Sequence, residues 1–266
     1  MSKTQAIQSH THNGLKYYYS AAWDGVKHGI FTRQGGVSLA PYTGLNVGGT
    51  VGDDLAAVRE NHQRMYNALG VDPARACTTW QVHGADVVLA QGPVPGRKWL
   101  ARADAIITNQ PDTPLVMRFA DCVPLLFFDP VQRAIGLAHA GWRGTVQGMA
   151  ANTMLALQQA YGSRPTDMRV IIGPSISGAK FQVGEEVVQA VEDHYRTLDG
   201  LMQRDPADNS AYVDLWAANK LDLLRVGVLP EHIEVSGLCT YTRTDEFFSH
   251  RAEHGKTGRF GVVLSL

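Results

Sequence analysis

Three features of this 266-residue chain predict an α/β (α+β) sandwich with mixed or antiparallel sheets flanked by helices. Many short β-rich runs are bounded by turn residues, a few well-punctuated helical segments lie between them, and some neighbouring runs stand too close for a helical crossover. The first helix is expected over Asp53 to Leu69, where Asp53 or Asp54 can cap and Gly70 supplies a stop. Strands are expected at Asp86 to Ala90, Ala105 to Thr108, Leu115 to Phe119, Leu125 to Asp129 and Ile135 to Ala138. The gap between Phe119 and Leu125 has no room for a crossover helix, so the sheet cannot be purely parallel. A second helix follows over Thr145 to Tyr161, closed by Gly162, then a strand at Arg169 to Ile172. Helices at Glu185 to Tyr195 and Asp214 to Val226 and a last strand at Arg259 to Leu264 complete the pattern.

The proline- and glycine-rich stretch Gln91 to Trp99 is short enough to be a surface loop, and neither repeat nor low-complexity tract is present. One domain over residues 1–266 is therefore expected. With 24 basic and 25 acidic residues and no long run of one sign, a nucleic-acid footprint is not expected, and a small uncharged or anionic ligand fits better. The polar N-terminus does not read as a signal peptide, and Arg118 and Asp121 interrupt the apolar stretch from Leu115 to Phe128. A soluble cytoplasmic protein without membrane partner follows as the expectation. Cys77, Cys122 and Cys239 are too few and scattered for a disulfide framework, which suits reduced thiols in that compartment.

Chemistry concentrates in three turns. IGLAHAGWRGT delivers His139 from an apolar strand into a glycine-broken turn leading to a helix, QVHGAD offers His83, and FADCVP offers Cys122. Taken singly, a histidine beside a strand is more often a hydrogen-bonded structural residue and a lone cysteine a small hydrophobe. His28, His62, His194 and His232 are read that way, and His10 and His12 are placed in a mobile terminus. Two imidazoles and a thiolate sharing one turn context fit zinc with one coordination position open, the arrangement of a catalytic rather than a structural site. Asp121 and Asp86 are placed to accept the outer hydrogen bonds that orient a ligating imidazole, or else to cap their turns. Arg143, with Gly144 and Thr145 opening the helix, is either an anion contact or a cation stacked on Trp142. Arg33 and Asn46, in FTRQGGVSLAPYTGLN, flank a glycine turn that is either a lid over a polar ligand or a long loop.

Dinucleotide, phosphate-loop, HExxH and nucleobase-deaminase signatures are all absent, and GPSIS lacks the form of a serine nucleophile elbow.

Taken together, FTRQGGVS with PYTGLNVG, QVHGADV, ADAIITN, ADCVPLLFFD, AHAGWRGT, IGPSI and CTYTRTDEFFSHR with KTGR resemble the YfiH family, also called laccase-domain or polyphenol oxidase proteins. The match runs over nearly the whole chain in the family's order. It implies a single α/β sandwich domain and a metal or catalytic site made by His83, Cys122 and His139. It further implies phosphorolysis of adenosine, inosine or methylthioadenosine to base and ribose 1-phosphate, with adenosine deamination alongside. Zinc is the expected cofactor and copper the alternative ion. Nucleoside and phosphate are the expected partners, with no protein partner inferred. In this scheme the zinc and Arg143 position phosphate or water, and Arg33 and Asn46 contact the nucleoside. A copper laccase needs several ions and many histidines, whereas the sole HxH run is His10 to His12. Relatives are also linked to peptidoglycan precursor editing, where a Cys122 nucleophile with His83 or His139 as base would serve amide hydrolysis. A nucleoside-binding protein without turnover is the remaining class. One local departure is His250, where the family's FFSxR segment is expected to carry an aromatic; it bears on substrate contacts rather than on the fold.

Overall fold

The computed structural model describes residues 7–94 and 99–266; residues 95–98, the centre of the Gln91 to Trp99 stretch, and residues 1–6 lie outside the described residues. The chain opens with three strands, β1 (Ile7–His12), β2 (Leu15–Ser20) and β3 (Lys27–Phe31), followed by helix α1 (Leu55–Leu69). Next come β4 (Val87–Leu89), β5 (Ala105–Thr108), β6 (Leu115–Phe119), β7 (Val123–Asp129) and β8 (Ala134–Ala140). A short helix α2 (Trp142–Thr145) leads into α3 (Met149–Tyr161) and β9 (Arg169–Ile172). The remainder is β10 (Gln182–Val183), α4 (Glu185–Tyr195), β11 (Met202–Arg204), β12 (Ala211–Val213), α5 (Leu215–Arg225), β13 (Ile233–Val235) and β14 (Phe260–Ser265).

Two large sheets lie face to face. One has the order β1-β2-β3-β14-β6 and is antiparallel throughout; the other, β13-β9-β7-β8-β5-β4, is antiparallel in its centre and parallel at both edges. Alternation along the central strands explains the layering, because successive strand side chains point to opposite faces. Leu126 and Phe128 of β7 and Ile135 and Leu137 of β8 meet Met117, Phe119, Phe260 and Val262 of the other sheet. Their neighbours Leu125, Phe127, Ala134 and Ala138 face away, onto Met154 and Leu157 of α3 and Leu215 and Leu223 of α5. On the far side of the first sheet, Leu15, Phe31, Val116 and Val263 pack against Met65 and Tyr66 of α1. The result is a helix–sheet–sheet–helix stack, with β7 and β8 buried on both faces. A small third sheet, β10-β12-β11, sits beside α4. Among the described residues no helix is long and apolar enough to cross a membrane.

Asp54 caps α1 by accepting from the amides of Ala56 and Ala57, and Gly70 ends it in the left-handed region. Three expectations are corrected. The helix expected over Thr145 to Tyr161 is two helices, because Gly148 takes φ 76° and breaks the ladder between them. His10 and His12, expected in a mobile terminus, stand on β1, which pairs with β2. The runs at Leu115 and Leu125 are not neighbours in one sheet: β6 pairs with β14, whereas β7 lies between β9 and β8. The short connection crosses between the layers, and only the second sheet is mixed, through its parallel edge pairs.

Candidate active site

His139 shares its strand face with Ile135 and Leu137 and so points between the sheets, where its ring lies 5.4 Å from that of Phe119. Antiparallel register pairs Ala105 with Ala138, which sets Asp104 opposite His139 on that face. The two are joined twice. The His139 amide donates to the Asp104 carbonyl at 2.7 Å, and Nδ1 lies 2.8 Å from Asp104 Oδ1. With Nδ1 committed to the carboxylate, Nε2 is the nitrogen left for the cluster.

The same carboxylate builds the His83 turn. Asp104 accepts from the amides of Val82, His83 and Gly84 at 3.0, 3.0 and 2.8 Å. These bonds hold His83 at φ 61°, a conformation a non-glycine residue rarely takes without such support. Cys122 follows a second left-handed residue, Asp121 at φ 79°. Asp121 accepts from Thr240 Oγ1 at 2.6 Å and from the Arg251 amide at 2.7 Å, which ties the C-terminal loop to the cysteine turn. The expectation that Asp121 or Asp86 orients an imidazole is thereby corrected: Asp104 does so, while Asp86 offers its backbone carbonyl to the amides of Asp104 and Ala105. Two glycines of AHAGWRGT permit the convergence. A Cβ on Gly141 would stand 3.0 Å from Cys122 Sγ and 3.3 Å from His83 Cδ2, and one on Gly144 would stand 2.7 Å from the Gly84 carbonyl oxygen.

His83, Cys122 and His139 present one nitrogen, one sulfur and one nitrogen, all within 4.8 Å of one another. Tetrahedral zinc separates such ligands by roughly 3.3–3.6 Å, so modest side-chain rotation brings all three onto one ion. The donor set fits that metal and leaves one position open. Without a metal the electrostatics favour a thiolate–imidazolium pair, so Cys122 is ready to ligate while His139 must give up a proton on binding an ion. Burial alone would push the Cys122 thiol up, but the charge and hydrogen bond of His139, with those of His83, bring it down to about 6. Burial would push His139 down; the Cys122 thiolate and the Asp104 carboxylate raise it to about 9. In Asp104 the burial penalty is outweighed by the His139 hydrogen bond and charge and by the backbone donors, so its carboxyl is held below the usual carboxylate range.

The cluster stands in the wall between two cavities. The larger, about 470 Å³, has apolar lining from Trp142, Ile176, Phe181 and Leu215 and polar lining that includes Arg143 and His250. The smaller, about 360 Å³, is lined by Gly49, Thr50, Trp80, Trp99 and Arg118. His83 and Arg259 belong to both. Both volumes suit small molecules.

Arg143 stacks on Trp142, its guanidinium carbon 4.3 Å from the ring centroid, and both residues line the larger cavity. Arg33 and Asn46 line neither cavity. Arg33 bonds Glu253 at 3.0 Å and the Thr244 carbonyl at 2.9 Å and covers Phe248, bracing the loop that carries His250. Asn46 is fully buried, and its Oδ1 accepts from the amides of Gly48 and Arg259 at 2.9 and 2.8 Å. Both therefore hold supporting positions beside these two cavities rather than lining them. Three residues escaped the sequence reading. Asp104 opens the apolar run ADAIITN, Arg118 is the lone charge in β6, and Arg259 ends KTGR. A charge at the edge of or inside an apolar strand was the available signal.

Residues 27–266 match the family described as multi-copper polyphenol oxidoreductase laccase. The purine nucleoside phosphorylase of Bacteroides thetaiotaomicron is 34% identical over 258 residues, covering 94% of this chain and 96% of that protein. The purine nucleoside phosphorylase of Deinococcus radiodurans is 38% identical over 242 residues, covering 91% and 89%. The crystal structure of YlmD from Geobacillus stearothermophilus superposes with a TM-score of 0.92 at 33% identity, over 98% of this chain and 99% of that one. With ordered motifs, fold and relatives in agreement over nearly its whole length, the chain belongs to the YfiH family of laccase-domain proteins.

Proposed function

We propose that this chain is a zinc-dependent purine nucleoside phosphorylase acting on adenosine, inosine or methylthioadenosine. The observation that carries it is a three-ligand His83–Cys122–His139 cluster in a wall shared by two small-molecule cavities, in a chain whose relatives bear that name. In this reaction the bond between the purine nitrogen and ribose C1′ breaks. A phosphate oxygen bonds to C1′, and the proton of hydrogen phosphate ends on the departing base. Zinc held by His83, Cys122 and His139 would supply a Lewis acid at its open position.

The protein's own groups supply placement. Trp142 and Phe181 offer apolar area to the flat base, with Arg143 beside them as a substrate contact. Asp104 keeps His139 Nε2 directed at the cluster and holds the His83 turn. Pre-set donors and fixed reactants lower the barrier by positioning and electrostatics. The test is incubation of metal-characterised protein with each nucleoside, with and without phosphate, products separated by chromatography. Phosphate-dependent release of base that disappears in Cys122→Ala is expected; no product from any of the three nucleosides would overturn the proposal.

A second reading rests on the low Cys122 and high His139 pKa values, which describe a thiolate–imidazolium pair able to attack an amide, as in peptidoglycan precursor editing. It requires metal-free protein. Rapid alkylation of Cys122 in freshly purified enzyme supports it, and protection lifted only by a chelator supports zinc ligation. Among the described residues only one group of three or more His, Cys, Asp or Glu side chains is placed to hold an ion, which gives a multicopper oxidase too few sites.

A further inference from the structure

The two cavities differ in the balance of their charges. The larger is lined by Asp121 together with Arg143, Arg251 and Arg259; the smaller has no Asp or Glu in its lining and takes its charge from two arginines, Arg118 and Arg259. Neither arginine lies within ion-pair distance of a carboxylate among the described residues. Arg118 donates from Nη2 to the Thr79 carbonyl at 2.8 Å and makes longer bonds of 3.4 Å to Gln81 Oε1. Arg259 donates from Nη1 to the carbonyls of Gly258 and Thr257 at 2.8 and 3.1 Å. Arg118 Nη1 and Arg259 Nη2 have no protein acceptor among the described residues. Structural arginines usually close their forks on carboxylates, because an unpaired cation out of water is costly. Here neutral acceptors fix the direction of each fork and neither closes on a carboxylate, with Cys122 and Asp121 acting on Arg259 only as nearby charges.

Beside the Trp80 and Trp99 rings, the glycine-rich side of the cavity suits an oxyanion. Gly49 faces open space, so a ligand can approach the backbone, and Thr50 lines the same cavity. Asn46 anchors both sides of the mouth by holding the Gly48 and Arg259 amides. His83 and His139 close the inner wall, so an anion seated here abuts the metal cluster. We infer that the smaller cavity is the phosphate subsite, with Arg118 and Arg259 as its two guanidinium clamps, and that the purine nucleoside enters from the larger cavity. The inference deepens the phosphorylase proposal and rests on it for the identity of the anion, not for its place.

The experiment uses the metal-loaded full chain and two readouts. Steady-state kinetics give KM separately for phosphate and nucleoside, and inorganic phosphate is titrated against melting temperature without nucleoside. In Arg118→Gln and Arg259→Gln the phosphate KM is expected to rise about tenfold to a hundredfold, with nucleoside KM changed less than threefold. Arg118→Lys, which keeps the charge, recovers part of the loss. The phosphate-induced rise in melting temperature seen in the wild type shrinks in both glutamine variants. Arg143→Gln supplies the contrast, raising nucleoside KM. If Arg118→Gln does not fold, Arg259→Gln and Arg118→Lys carry the test.

Phosphorolysis with unchanged phosphate KM in the variants overturns the subsite while leaving the phosphorylase proposal standing. No phosphorolysis, but a phosphate-dependent melting shift lost in the variants, retains the anion site and removes the phosphorylase proposal. An equal or absent shift in wild type and variants, without phosphorolysis, overturns both.

Discussion

Asp104 is the residue on which the site turns, since one carboxylate accepts three backbone amides of the His83 turn and faces the His139 imidazole. Replacing it with asparagine keeps the shape but removes the charge and one acceptor. Asp104→Asn is expected to fold, by circular dichroism, and to lose about tenfold to a hundredfold in metal affinity measured against a competing chelator dye. The Cys122 thiol sets a second expectation. In metal-free protein its iodoacetamide reaction is fast above about pH 6 and falls as pH drops through that value, because the reactive thiolate is protonated there. An ordinary thiol would show its midpoint about two and a half units higher. Peptide mapping of the alkylated site distinguishes Cys122 from Cys77 and Cys239, both buried. His139 keeps its proton until pH rises through about 9, so the ion pair is present between the two values. From sequence, the three ligands were legible because each ends an apolar run at a turn. Asp104 was not, because its partner stands across a strand pair, and register is invisible in one dimension.

Among the elements, α2 is the one whose packing controls chemistry. Its Gly144 approaches the Gly84 carbonyl so closely that a methyl group must displace the His83 turn. Gly144→Ala is expected to cost about 1–3 kcal/mol in denaturant unfolding and to weaken metal binding together with activity. Asp54→Ala, at the α1 cap, is expected to cost about 1 kcal/mol and leave activity unchanged. Bounds for β5, β6, β9 and α4 agree with the sequence expectation residue for residue, since compact apolar runs and a long amphipathic stretch signal themselves locally. The hairpin strands β1 and β2 do not, because β1 is largely exposed and β2 mixes tyrosines with polar residues. The break before α3 depends on one glycine taking a left-handed conformation, which the helical pattern around it concealed.

For the whole molecule, the cores between and behind the sheets carry stability. The inter-sheet core of Phe119, Phe128, Leu137 and Phe260 and the helix-facing core of Leu125, Phe127 and Leu157 form without the metal cluster. Chelation is therefore expected to leave the far-UV circular dichroism unchanged. It lowers the melting temperature by the binding linkage alone, about 4 kcal/mol for an ion present at a thousandfold over its Kd. A collapse of secondary structure on chelation would show that the metal holds the fold together.

His83, Cys122 and His139 enter from three separate turns, and they meet only when β5 pairs with β8 and the chain crosses from β6 to β7. Only the β7–β8 hairpin brings two of them, Cys122 and His139, together within one local segment, so a nascent or unfolded chain offers the ion at most two of the three ligands. Tight metal capture is thus a late event in folding, following the slow long-range strand pairings rather than guiding them. A metal-loaded molecule is one whose two layers have already closed, and the ion records completed folding.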